Sequence, residues 1–431
     1  MGLPLAAYNA GYQKESGRRS DLEPMDSPVL PDSVPMSQLR ISQRISLLRP
    51  TAVNAILAEV REFQDRGGTA FSLMRGQPDF PTPEHIIRAA NQALAQGRTA
   101  YPDNLGETTL RRAVALKLER AGCVYSPDNE VLITSGATLG IYAALAAVLN
   151  PGDEVLLPEP IYDAYLEVIA VLGGIARSVP AEIVGGRFSV RAESFRAACG
   201  THTRALLLNT PWNPTGTVLR QDELKTLMAV AAERNLVVMS DEIYEAIIFD
   251  GREHISPASI SDDARTRTIV VGSFSKTYAM TGWRLGYCAA PAEIIRAMYL
   301  VLQQSSRGPA TFVQDAGMAA LEGSQDCVEQ MRAEYSVRRD QVRAALGDLP
   351  KVRLLLPEAG FFAMLDVREL EIPSNELRRR LLDEFGVVVV HGSAYGPSAE
   401  GTLRVSFASG GNNLKQGLQR LHSGLSTIAT H

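Results

Sequence analysis

The sequence predicts an α/β fold built on a mostly parallel sheet with helices on both faces. Two observations predict it. Five short apolar runs, EVLIT (130–134), DEVLLP (153–158), RALLLN (204–209), LVVMS (236–240) and TIVVG (268–272), are separated by helical patterns. Near-continuous Leu, Val and Ile suit strands covered on both sides. Polar or small residues also cluster just past several of these runs, and in such sheets ligands bind beyond the carboxyl ends of the strands.

Residues 1 to about 40 are polar and rich in Pro, Ser and Asp (DLEPMDSPVLPDSVP), a composition that builds no core and reads as an arm. From Ile41 the pattern changes. RPTAVNAILAEVREFQDRG has helical periodicity and stops at Gly67. Between the middle strands, DELKTLMAVAAERN places Leu224, Leu227, Met228 and Ala231 on one face. The last hundred residues differ. KVRLLLPEAGFFAMLDV, GVVVVHGSAYG and TLRVSFA suggest a smaller α+β unit. We expect an arm over 1–40, a small domain shared by 41–80 and 324–431, and a large domain over 81–323.

Bulk properties narrow the function. The chain has 431 residues, 45% of them apolar, enough for a large core that divides into domains. Its net charge is −5 and it has no basic run, which argues against nucleic acid and anionic membranes as partners. No apolar stretch is long enough to span a bilayer. The opening MGLPLAAYNAGYQ lacks the charge and apolar core of a secretory signal. The four cysteines are widely spaced and the six histidines form no HExxH, so neither a disulfide framework nor a zinc site is expected. These features point to a cytoplasmic protein.

The chemistry sits after the strands. Ser135-Gly136-Ala137-Thr138 follows EVLIT and opens a helix. Small residues there let backbone N–H groups approach an anion, although alone the stretch is only a tight turn. Thr210-Pro211-Trp212-Asn213-Pro214-Thr215-Gly216 follows RALLLN. It is either a plain proline-rich loop or a rigid mount for the Asn213 amide. Asp241-Glu242-Ile243-Tyr244 follows LVVMS, where an acid is either a helix cap or the partner of a protonated heterocyclic nitrogen. After TIVVG, Lys276 stands among Ser273, Ser275 and Arg284. Burial and a nearby cation would lower its pKa, and the serines with Arg284 could bind a phosphate. A phosphate turn, an amide, an Asp/Tyr pair and a lysine suit one aldehyde cofactor with a pyridine ring, a phenolic oxygen and a phosphate: pyridoxal phosphate.

These motifs resemble those of fold-type I pyridoxal-phosphate enzymes, specifically the class I aminotransferases of the aspartate aminotransferase family. The resemblance runs from about Ile41 to about Leu421. GQPDFPTP (76–83), YPDNLGETTLR (101–111), NPTG (213–216), SDEIY (240–244), SFSKTYAMTGWRLGY (273–287) and RVSFA (404–408) carry it. It implies a seven-stranded sheet in the large domain and a homodimer with shared active sites. Lys276 matches the Schiff-base lysine, Asp241 the partner of the pyridine nitrogen, and Asn213 and Tyr244 the donors to the ring phenolate. Tyr162 matches the aromatic stacked on the ring. Gly136, Ala137, Thr138, Ser273, Ser275 and Arg284 match the phosphate site, and Tyr101 matches a tyrosine that reaches the neighbouring subunit's cofactor. Arg404 matches the clamp on the substrate α-carboxylate, assisted by Asn213 and the backbone of Gly76. The implied reaction moves an amino group between an L-α-amino acid and a 2-oxo acid by a ping-pong route through Lys276.

Three positions depart from the family pattern. Arg75, Arg307 and His391 are either solvated side chains or, for the arginines, extra cations that would bind a substrate's second anionic group. Two other functions stay open at this stage. The same scaffold supports elimination, ring closure or C–C bond formation, as in enzymes resembling aminocyclopropane-carboxylate synthase. A ligand-sensing regulator would need a fused DNA-binding segment, and the first 40 residues are too short and acidic for one.

Overall fold

The computed structural model describes residues 42–430, though not the side chains of Gln43 and Leu47. The arm expected over 1–40 lies outside the described residues. The first long helix, Ala52–Asp65, buries Ile56 and Val60, four residues apart on one face. Thr51 caps its start by accepting the Asn54 N–H, and Gly67, at φ +89°, ends the turn where the sequence places the stop. Strand β1 (Phe71–Ser72) follows.

A seven-stranded sheet holds the middle of the chain. Its strands are β2 (Val131–Thr134), β3 (Glu154–Glu159), β4 (Ile175–Pro180), then, beyond a hairpin of β5 (Glu182–Val184) and β6 (Arg187–Ser189), β7 (Thr203–Asn209), β8 (Val237–Asp241), β9 (Thr268–Ser273) and β10 (Gly286–Ala289). Their order is β2-β10-β9-β8-β7-β3-β4; β10 runs antiparallel to both neighbours and the other pairings are parallel. The five expected strands are all here. β4 and β10 are additions, and each has a reason to be illegible. β4 is an edge strand with several exposed residues, and β10 has only four residues.

Alternating residues of these strands feed separate layers, as a period of two requires. Leu207 and Met239 pack with the helix Ala137–Val148 on one face. Leu206, Leu208 and Val238 meet the helix Gln221–Glu233 on the other, through the expected Leu224, Leu227, Met228 and Ala231. Each such side chain contributes about 1.5–3 kcal/mol when fully buried.

The C-terminal part forms an antiparallel sheet of β11 (Arg353–Leu355), β12 (Phe362–Asp366), β14 (Val390–His391) and β15 (Thr402–Ser406), in the order β11-β12-β15-β14. Between β12 and β14, β13 (Val387–Val388) pairs in parallel with β1, tying the two ends of the described chain together. Helices Asp326–Leu346, Ser374–Phe385 and Gly411–Ala429 cover this sheet through Tyr335, Leu377, Leu414 and Leu421. Among the described residues, no helix is long and apolar enough to cross a membrane.

Candidate active site

Beyond the carboxyl ends of the large sheet lies a cavity of about 450 Å³. Asp241 ends β8 and Ser273 ends β9; Ser275 and Lys276 follow in the next turn, and Tyr244 follows Asp241. Because β10 runs antiparallel, its first residue, Gly286, pairs with Ser273 and Thr134. That brings Arg284 to the edge where the parallel strands end. Ala137 and Thr138 arrive from the turn after β2, Tyr162 from the loop after β3 and Asn213 from the loop after β7. Gly76 and Arg404 complete the wall from opposite ends of the chain.

Lys276 donates from Nζ to the Gly76 carbonyl at 2.5 Å. Burial, then Arg284, push its pKa down to about 8, with Arg404 adding a little and Asp241 opposing. Asp241 is 2% exposed, and burial pushes it up to about 6. Its Oδ2 accepts the Tyr165 hydroxyl and its Oδ1 accepts the Ile243 N–H at 3.3 Å. Tyr244 is buried, which raises its hydroxyl pKa. Arg404 is 3% exposed and lies over Phe362, its guanidinium carbon 4.1 Å from the ring centroid. It donates to Asn213 Oδ1 at 3.2 Å and to the Met74 carbonyl at 2.7 Å, while its buried Nε has no partner. Such an orphaned donor is uncommon in a folded interior.

The turn after β2 is shaped by Gly136. It sits at φ +85°, and a Cβ there would stand 2.4 Å from an Arg284 Nη atom. Arg284 is itself at φ +54° and donates to the Thr281 carbonyl at 3.0 Å. Ser273 accepts the Ser275 N–H at 3.1 Å.

Gly136 lies behind this wall, and four other residues singled out in the sequence lie apart from it. Tyr101 is 84% exposed, with the Arg307 guanidinium 5.6 Å from its ring centroid. Arg75 is exposed, its carbonyl accepting Ser406 Oγ at 2.5 Å. His391 hydrogen-bonds Ser393 Oγ at 2.7 Å through Nδ1, and burial pushes it down to about 4. Within one chain, therefore, neither Arg75 nor Arg307 puts a cation into the cavity wall.

Two residues that sequence reasoning missed organise the site. Tyr165 holds Asp241, and Asn209 donates to the Asp241 carbonyl at 3.0 Å while accepting the Asn213 N–H at 2.7 Å. Asn209 so ties the strand end carrying the acid to the loop carrying the amide. Its position as the last residue of RALLLN was the available signal.

Comparison with known proteins agrees with this geometry. The family model described as aminotransferase class I and II matches residues 69–421. An aspartate aminotransferase of Bacillus sp. (strain YM-2) is 34% identical over 88% of this chain and 98% of its own. An arginine–pyruvate transaminase of Pseudomonas aeruginosa is 37% identical over 83% of this chain and 90% of its own. The solved Thermus thermophilus aspartate aminotransferase with maleate superposes with a TM-score of 0.83 at 36% identity, covering 90% of this chain and all of that one. With a family match across most of its length and a fold that follows the solved relatives, the chain belongs to the class I and II aminotransferases, pyridoxal-phosphate enzymes of fold type I that transfer amino groups.

Proposed function

We propose that the cavity carries out this transfer between an L-α-amino acid and a 2-oxo acid, with Lys276, Asp241 and Arg404 in the leading roles. The observation that carries the reading is that one cavity gathers a buried amine of lowered pKa, a buried carboxylate and a buried guanidinium with an unpaired N–H. The alternative of elimination or C–C bond formation is not favoured, because the relatives are named as aminotransferases.

The residues present fit pyridoxal phosphate. Asp241 would hold the proton on the ring nitrogen, and Asn213 and Tyr244 would meet the ring phenolate. Tyr162 would cover the ring face. Ala137, Thr138, Ser273, Ser275 and Arg284 would take the phosphate, and Gly136, by lacking a Cβ, leaves room for the Arg284 guanidinium. When bound, the cofactor supplies an aldehyde that condenses with amines and a ring that accepts the electrons released at the substrate Cα. Arg404 binds the α-carboxylate with Asn213, which fixes how the Cα–H bond is presented. Lys276, with a pKa near 8, can both take the Cα proton and return it at neutral pH.

The same reading makes the working unit a homodimer. Tyr101 and Arg307 stand together on an exposed face, apart from their own cavity, which supports a reach toward a second copy. It also divides the chain into a small domain, 41–80 with 324–431, and a large domain, 81–323, the β1–β13 pairing joining the two parts of the former. We place the protein in the cytoplasm, in keeping with four free cysteines. The relatives' names span an aspartate and an arginine donor and so do not decide this chain's donor.

The test is spectroscopic. Apoprotein mixed with pyridoxal phosphate should form a yellow chromophore, at a rate rising with pH through about 8 as the Lys276 amine loses its proton. Lys276→Ala should form none and lose on the order of 10³-fold or more in amino transfer. A coloured, active Lys276→Ala protein would refute the assignment.

A further inference from the structure

We propose that the amino donor carries a cationic or hydrogen-bond-donating side chain, and that Asp163 selects it. The inference rests on the roles given above to Lys276, Arg284 and Arg404. The charged residues lining the cavity are those three together with Asp241 and Asp163. Lys276 and Asp241 are taken by the cofactor, Arg284 by its phosphate and Arg404 by the α-carboxylate. Asp163 is left, and among the described residues of one chain no cation lining the cavity remains for a second carboxylate.

Its position suits a side-chain contact. Asp163 directly follows Tyr162. It lies close enough to Arg404 for the guanidinium to pull on its carboxyl, although burial raises the pKa on balance. The N-terminus of the helix Ala52–Asp65 lines the same cavity through Thr51, Val53 and Asn54. A free helix N-terminus would favour a distal carboxylate. Here that place is filled: Asp163 Oδ2 accepts the Ala52 N–H at 2.8 Å, and Thr51 Oγ1 accepts the Asn54 N–H. A dicarboxylic substrate would bring a second negative charge against Asp163, whereas an ammonium or guanidinium would be drawn to it.

Asp163→Asn keeps an oxygen for the Ala52 amide and removes the charge. The holoenzyme is mixed in turn with arginine, lysine, norvaline, aspartate and glutamate, and loss of the cofactor's aldehyde absorbance is followed in single turnovers. The wild type should prefer arginine and lysine to aspartate and glutamate, and Asp163→Asn should shrink that ratio about tenfold or more. An equal fall for every donor would mean that Asp163 only tethers the helix, and would overturn the proposal. So would a wild-type preference for aspartate and glutamate that Arg307→Leu abolishes, since Arg307 would then read the side chain. Silence from arginine and lysine in a protein that still forms the chromophore would overturn this proposal and leave the assignment of Lys276 to the cofactor standing.

Discussion

Asp241 shows what its function costs the fold. Its carboxyl has a pKa of about 6 in the folded apoprotein against an ordinary 3.8, so the folded form binds the proton more tightly than the unfolded chain. Stability is therefore greatest below about pH 4 as far as this group is concerned, and it falls as pH rises through about 6. Above that range the buried charge costs about 3 kcal/mol. Asp241→Asn apoprotein should be more stable than wild type by up to that amount at pH 7.5, and no more stable at pH 4. Urea unfolding at the two pH values checks this. Amino transfer should fall on the order of 10²-fold or more in the same variant. The strand-end residues that line the site were legible in the sequence because each follows an apolar run. Tyr165 was not, because its role depends on a contact with a residue 76 positions away.

The loop carrying Asn213 is held from outside its own strand. Glu358 accepts the Val218 N–H at 3.0 Å and an Arg220 N–H at 2.5 Å, with Arg187 and Arg252 within 3.6 Å. The Glu358 and Ala359 amides both donate to the Gly216 carbonyl at 2.9 Å. Gly216 is at φ +69°, and a Cβ there would come within 2.3 Å of Pro357. We expect Glu358→Ala to destabilise the protein by about 2 kcal/mol, the figure for a partly buried pair losing its anion. It should also raise KM for amino and oxo acids together, because Asn213 steadies Arg404. Thermal melts and steady-state kinetics measure both effects, and an unchanged KM would show that the loop holds itself. Strands read well from the sequence where both faces are apolar, as in β7 and β8. They read poorly where one edge is exposed, as in β4, or where the strand is as short as β10.

The fold class was visible because alternating runs and helices leave few other arrangements, and the motif order identified the cofactor. Assembly left less trace. Tyr101 and Arg307 lie 206 positions apart and carry no periodic signal, yet they stand together on one face. Light scattering of the purified holoprotein should return twice the monomer mass of 46.7 kDa. Tyr101→Ala should weaken cofactor retention several-fold, measured by dialysis, if that face reaches a second copy's phosphate. A monomer with full activity would remove the shared-site reading.

Arg404 lies on β15, near the end of the chain, whereas every residue assigned to the cofactor precedes Gly286. On the ribosome, the pocket for the vitamin-derived group is complete in sequence before the substrate's anchor has been made.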